Sequence, residues 1–252
     1  MTPSPGSVTL EPLFIALAAL AGLLYARAAR VEQPPTWRVG LFALGLLLVV
    51  GALNSPLETI AANYLLLFHL LQNVMIADWA PPLLVLGLTP RMRAVVARRG
   101  GRPLASLTRP AVALSIWLVG WYGIHAVIFY DFALRHAWTL NVEHLLLIGI
   151  GLLFWWPVLA DEPREIGAPL KIGYLGAAFV GSVFLGLGLT FSSTPLYDFY
   201  AQAPRLWGLS AEKDQNFGGI LMNVEQAVVF LAAILYFIWR LIPEDEHSRA
   251  DA

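Results

Sequence analysis

The sequence predicts an all-α polytopic membrane protein, one integral membrane domain over residues 1–252 built as a bundle of seven transmembrane helices with the N-terminus outside and the C-terminus inside. Three observations predict it. Of the 252 residues, 58% are hydrophobic and 13% charged, against roughly 25% charged in a soluble domain, and the mean hydropathy is +0.67. Seven apolar stretches approach the roughly 20 residues that a helix needs to cross hydrocarbon. The basic residues fall mainly between alternate stretches, and positively charged loops stay in the cytoplasm.

The stretches, in order, are 8–25, 37–53, 60–88, 110–129, 140–159, 170–191 and 217–239. The first has no basic residue before it and no small-residue cleavage site after it, so a retained helix is expected. In the third, Ala80-Pro81-Pro82 removes two backbone donors. This is expected to end or kink the helix near Trp79 and send the next residues obliquely, or partly re-entrantly, toward a basic loop. In the sixth, Gly181, Gly186 and Gly188 suit close helix–helix approach in lipid. The longest outer loop, 192–216, carries Tyr197, Tyr200 and Trp207, whose rings are expected at headgroup level.

With the N-terminus outside, the inner segments hold Arg27, Arg30, Arg38, Arg91, Arg93, Arg98, Arg99, Arg102, Arg109, Arg164, Lys171, Arg240 and Arg249, thirteen of the 16 basic residues. The outer segments hold Arg135, Arg205 and Lys213. Topology alone accounts for the arginine run, and a net charge of −1 without a basic patch excludes nucleic acid as a partner. The absence of cysteine excludes disulfides, thiolate metal sites, a cysteine nucleophile and Cys-ligated iron–sulfur clusters. Any metal must be held by His, Met or carboxylate.

Polar side chains inside the stretches each need a reason, since a charged group at the bilayer centre costs about 2.5–3.5 kcal/mol on insertion scales. His69, Gln72 and Asn73 follow a helical spacing that puts them on one face, with Asp78 turned away unless the proline break re-aims it. No histidine partner is expected at the depth of His69, which reads as an anchor for hydrogen bonds between helices. A second group gathers toward the outer side: His125, Asp131, His136, Glu143 and His144, with Met222, Asn223 and Glu225 opening the last stretch. His125, His144, Met222 and Glu225, with His69, form a candidate metal set, and imidazole with thioether suits copper. The same residues also fit caps, headgroup contacts and helix-dipole roles. Retinal is excluded because Lys171 and Lys213 lie at a helix end and in a loop, whereas a haem held by His125 and His144 remains open.

From about residue 55 to 239 the chain resembles the CtaG family, the assembly factors of caa(3)-type cytochrome c oxidase. The resemblance is carried by Ser55-Pro56-Leu57, by His69 with Gln72 and Ala80-Pro81-Pro82-Leu83, and by Glu143-His144 followed by Phe154-Trp155-Trp156-Pro157. Its longest stretch is 190–222, TFSSTPLYDFYAQAPRLWGLSAEKDQNFGGILM. It implies a multi-pass protein of the bacterial plasma (inner) membrane, a non-enzymatic accessory that meets oxidase subunits or other assembly factors among the membrane lipids and plausibly helps copper reach the oxidase. Carried over, the family positions are His69, Gln72, His125, His144, Asp214, Gln215 and Met222. Asn73 stands where the family usually has a second His, and Asn223 where it usually has Trp; Asp78 and Glu225 are also off its pattern. The alternative is a membrane copper transporter or a haem-binding redox protein using the outer histidines.

Overall fold

The computed structural model describes residues 2–250, with side chains through Ile242, so the side chain of Arg249 lies outside the described residues. Every regular element among them is helical. Pro12 opens α1 (Pro12–Glu32), and α2 (Thr36–Leu53) follows Pro34 and Pro35. Ser55 caps α3 (Pro56–Asn63) by accepting from Leu57 N–H at 3.1 Å, with Pro56 in the first turn, where a missing N–H costs nothing. After Tyr64 and Leu65 the chain restarts as α4 (Leu66–Val74), passes through one π-turn (Met75–Trp79) and continues as α5 (Ala80–Gly87).

That π-turn corrects the expected break at Trp79. Ala80 N–H bonds back to Met75 O, so the turn carries one extra residue, and Pro81 and Pro82 fall in the first turn of a new helix, where their lost donors are tolerated. Residues Leu66–Gly87 therefore form one 22-residue span with no re-entrant segment. The Ala77 carbonyl faces Gly151, where a Cβ would collide with it.

The expected basic loop is helical as well. Thr89 caps α6 (Pro90–Leu107) through Met92 N–H at 3.1 Å, and Gly101, with φ 53°, bends it midway. The expected span 110–129 is shortened to α7 (Pro110–Ile124), because the chain leaves helical geometry at His125 and Ala126 before α8 (Val127–Arg135). Then follow α9 (Ala137–Leu159), α10 (Ala168–Phe191), the short α11 (Asp198–Gln202) and α12 (Ala211–Ala250). Among the described residues six helices are long and apolar enough to cross a membrane. A seventh crossing exists only if α6 and α7, bent by 74° to each other, count as one.

Leu66–Gly87 and α9 are the central helices, with 61% and 56% of their apolar windows buried, against 17% for α1. Their neighbours show apolar side chains outward, among them Val119, Phe191 and Val228, as a lipid solvent requires. The closest pairing is α10 with α12, where Gly219 lies against the Gly186 carbonyl and Thr190, and Asn223 lies over Gly186. Gly181 meets Leu118, whereas Gly188 has open space beside it.

The two ends of the bundle differ. One, the loop end, gathers the N-terminal segment, α8 and residues 192–210. The other, the arginine end, carries α6, from which Arg93 donates to the carbonyls of Val85 (3.2 Å) and Leu159 (2.6 Å). Arg38 donates there to Leu86 and Leu88. Two arginines of the inner set, Arg38 and Arg93, thus satisfy the last carbonyls of α5 and α9.

Candidate functional site

At the loop end, residues 192–210 are fastened to three helices. Gln215, on α12, accepts from Leu196 N–H at 2.7 Å and donates to Thr194 O at 3.1 Å. The Asp131 carboxylate on α8 accepts from the N–H groups of Asp198 and Phe199 at 3.1 and 3.0 Å. Arg205 donates to Tyr64 O and Tyr200 O, and its Nη1 lies 3.5 Å from Asp214. Asp214 in turn accepts from the N–H groups of Leu66 and Leu67, both at 2.9 Å, and so caps α4 from a distant part of the chain. Asp214 and Gln215 therefore hold the lid and the helix that carries His69.

The clamp drives Tyr197 and Tyr200 inward, each 2% exposed, instead of leaving them at headgroup level; only Trp207 of the three aromatics points outward. Burial, followed by the nearby Glu143, pushes the Tyr200 hydroxyl well above the usual tyrosine range, so it keeps its proton. That proton goes to Ala61 O at 2.6 Å, because a carbonyl can only accept. The second contact of the same hydroxyl, His69 Nδ1 at 2.7 Å, must then be a donation from the ring. His69 therefore carries a proton on Nδ1, and its Nε2 faces Glu143 Oε1 at 3.3 Å.

Lone pair facing carboxylate is an unfavourable arrangement unless something positive lies between them, a proton or a metal ion. The remaining neighbours do not relieve it. Asn73 donates to the same Glu143 oxygen at 3.3 Å, leaving Glu143 Oε2 without a partner. His144, wholly buried one residue further on α9, has no hydrogen bond at either ring nitrogen, and its ring centroid lies 6.0 Å from that of His69. His69, Glu143 and His144 therefore converge, contrary to the expectation that His69 stands alone at its depth.

The histidine grouping expected from the sequence is redrawn. His144 meets His69 and Phe14, whereas His125 meets Trp121 and Tyr130. His125 Nδ1 donates to Trp121 O at 2.7 Å and leaves its Nε2 free. The Tyr130 ring stacks on both His125, at 5.5 Å, and His69, at 5.0 Å. Met222 sits in the principal apolar core, and Glu225 accepts from Trp79 Nε1–H at 2.6 Å beside Asp78; the structure brings neither to the imidazoles. Gln72 turns to Ala52 O, at 2.9 Å, and to Glu58, on α3. Burial pushes the Glu58 carboxyl up to about 7, although the Gln72 hydrogen bond opposes this. His136 is exposed and bonds only to Phe132 O.

Among the described residues no three His, Asp or Glu groups form a ready-made metal cage. What is present is a pair of buried imidazoles, one of them, His69, against the Glu143 carboxylate and the other without a hydrogen bond. At 6.0 Å between ring centroids, one nitrogen of each ring could reach a single ion at about 2.0 Å.

The family described as cytochrome c oxidase caa3 assembly factor (Caa3_CtaG) matches residues 19–244. The chain belongs to that family. The match extends the resemblance read from the sequence over α2 and the part of α1 from residue 19; Ala52 of α2 and Phe14, which precedes the matched residues, wall the site. Membership of that family, with several long apolar helices, fits a membrane location.

Uncharacterized proteins of Mycobacterium bovis and Mycobacterium tuberculosis are each 26% identical over 210 residues, covering 73% of this chain and 32% of their own length. One of Mycobacterium leprae is 23% identical over 244 residues, 84% of this chain and 37% of its own. The chain thus spans about a third of the length of the curated relatives it matches. No solved structure matches.

Sequence reasoning missed Glu58, Tyr130 and the inward turn of the two lid tyrosines. Glu58 reads as an ordinary first-turn acid behind Ser55-Pro56, and its link to Gln72 is visible only once α3 folds against α4. For Tyr200 the signal was Arg205, a cation placed to gather the carbonyls around it.

Proposed function

We propose that this assembly factor receives copper at the loop end of the bundle and passes it toward caa3-type cytochrome c oxidase, with His69 and His144 holding the ion and Glu143 balancing its charge. The observation that carries the reading is the orientation of the His69 ring. Tyr200 and Ala61 commit Nδ1 to donation, so Nε2 is the nitrogen turned to the Glu143 carboxylate, beside a second imidazole with no hydrogen bond of its own. Imidazole nitrogens suit copper in either oxidation state. His125, across the Tyr130 ring, offers another free Nε2 and is a second stop for the same cargo. Met222 and Glu225 take no part.

The orientation belongs to the same proposal: the loop end faces outward from the bacterial plasma membrane and the arginine end faces the cytoplasm. Positive-inside bias supports it, since Arg135, Arg205 and Lys213 share the loop end while the arginines of α6 lie at the other. Single cysteines in this cysteine-free chain test it with an impermeant thiol reagent. Ser193→Cys should label in intact cells and Ser106→Cys only after permeabilisation; the reverse pattern overturns the orientation.

Copper is tested by anaerobic loading of purified protein with Cu(I) and metal analysis. About one tightly held ion per chain is expected, reduced at least about tenfold in His69→Ala/His144→Ala. Equal copper in wild type and variant would leave assembly without metal handling.

A further inference from the structure

A second polar cluster lies deeper in the bundle, where Asp78 of the π-turn meets Glu225 and Gln226 of α12. Asp78 is fully buried, and neither of its carboxyl oxygens has a hydrogen-bond partner; Glu225 Oε2 is also unpartnered. The Gln226 amide, 1% exposed, faces Asp78 without reaching hydrogen-bond geometry, and its Nε2 is unpartnered too. The single direct donor is Trp79 Nε1–H, to Glu225 Oε1 at 2.6 Å. Asp78 lies twelve residues beyond Leu66, and Glu225 fourteen beyond Ala211. At 1.5 Å per residue both stand roughly 20 Å below the loop end, well inside a hydrocarbon core about 30 Å thick.

Among the described residues no cation answers these acids. The elements around them, α2, α4, α5, α9, α10 and α12, bring no lysine, arginine or histidine against the pair. The groups that face Asp78 and Glu225 are each other, Gln226 and Trp79. Two adjacent carboxyls in a low dielectric without a counter-ion do not both ionise. Glu225 is also reached from outside: with Trp79 it supplies the polar floor of an apolar groove of about 670 Å³ whose walls include Phe217, Val224 and Val228. Those three side chains are 48%, 57% and 64% exposed, so the groove opens toward lipid.

We propose that Asp78 and Glu225 are a membrane-embedded proton-binding site, a carboxyl pair sharing one proton, with Glu225 the member reached through the lipid-facing groove. Asp78 supplies the negative neighbour that keeps the proton on Glu225. The site is independent of copper, about which it makes no assumption.

Dicyclohexylcarbodiimide, an apolar reagent for protonated carboxyls, tests it on the full chain in lipid nanodiscs. The acid proton moves to a carbodiimide nitrogen and the carboxylate oxygen bonds to the central carbon; rearrangement leaves an N-acylurea with no atom lost. Peptide mass spectrometry should find the adduct on Glu225, not Asp78, at about pH 7, falling at least about fivefold by about pH 10. A water-soluble carbodiimide should leave Glu225 unlabelled. At about pH 8.5, Asp78→Asn should lower Glu225 labelling at least about twofold, because the neighbouring charge is gone. No adduct on Glu225 at any pH, equal labelling by the water-soluble reagent, or unchanged labelling in Asp78→Asn would each overturn the proposal. Should the variant misfold, the wild-type pH profile decides.

Discussion

His69, Glu143 and His144 lie just beneath a clamped lid of two tyrosines, whereas Asp78 and Glu225 lie deeper among aliphatic side chains, beside a groove open to lipid. Both regions bury polar atoms without partners, but the deficits differ in kind. Near the lid, one imidazole nitrogen faces a carboxylate and a second imidazole has no hydrogen bond, so a cation is the element that answers them. Deeper down, two buried carboxyls lie near each other with one amide beside them and no cation, and one proton held by the pair suffices. The chain also invests differently in the two. Asp214, Gln215, Asp131 and Arg205 all act to fix the lid and the start of α4, while Trp79 is the single donor at the deeper pair.

Removing the clamp should do the most damage. Asp214→Ala strips the cap from two α4 N–H groups and the counter-charge from Arg205, and should destabilise the protein by about 2–4 kcal/mol, read as a fall in thermal midpoint in detergent. Equal perturbation of the carbodiimide reaction at Glu225 would show that the two regions are not separable.

Glu58, behind the histidine cluster, sharpens the comparison through pH. Its carboxyl holds a proton up to about 7 in the folded protein, against 4.5 when free. The folded state therefore binds that proton more tightly, and this contribution to stability is present below about pH 4.5 and lost as pH rises to about 7. The loss amounts to about 3 kcal/mol. Glu58→Gln should flatten that slope, measured as the wild-type-minus-variant difference in unfolding free energy across the window; an unchanged slope would remove Glu58 from the network.

A smaller effect is expected from Tyr200→Phe, which removes one hydrogen bond to Ala61 O and one from His69. About 1–2 kcal/mol of stability should be lost. His69 is then free to choose its tautomer, so copper retention should weaken more than the stability change alone explains. Parallel losses would reduce Tyr200 to a packing role.

The all-helical class and most of the spans were legible because apolar runs of span length leave few alternatives. The span expected over 110–129 was not, because the chain breaks at His125 and Ala126, where a single histidine in an apolar run gives no breaking signal and Tyr197 OH donates to the His125 carbonyl at 2.9 Å. The π-turn was hidden because one extra residue in a turn leaves no mark on an apolar run. The apolar stretch 60–88, read as one helix, puts His69 about nine residues from its start. The break at Tyr64 and Leu65 puts it only three residues beyond Leu66, level with Glu143. The candidate residues were thus found by type, and their partnerships were not, since these depend on where two helices start.

The central claim, that the unmatched lone pairs near the lid hold copper, is tested most directly by Cu(I) titration of the purified protein with X-ray absorption at the copper edge, in wild type, His69→Ala/His144→Ala and Asn73→His. The account predicts about one ion per wild-type chain with nitrogen neighbours at about 2.0 Å. The double variant should lose it, and Asn73→His, which adds an imidazole beside Glu143, should fold normally and retain copper at least as well. Copper bound equally by all three proteins, or held by sulfur, would contradict it.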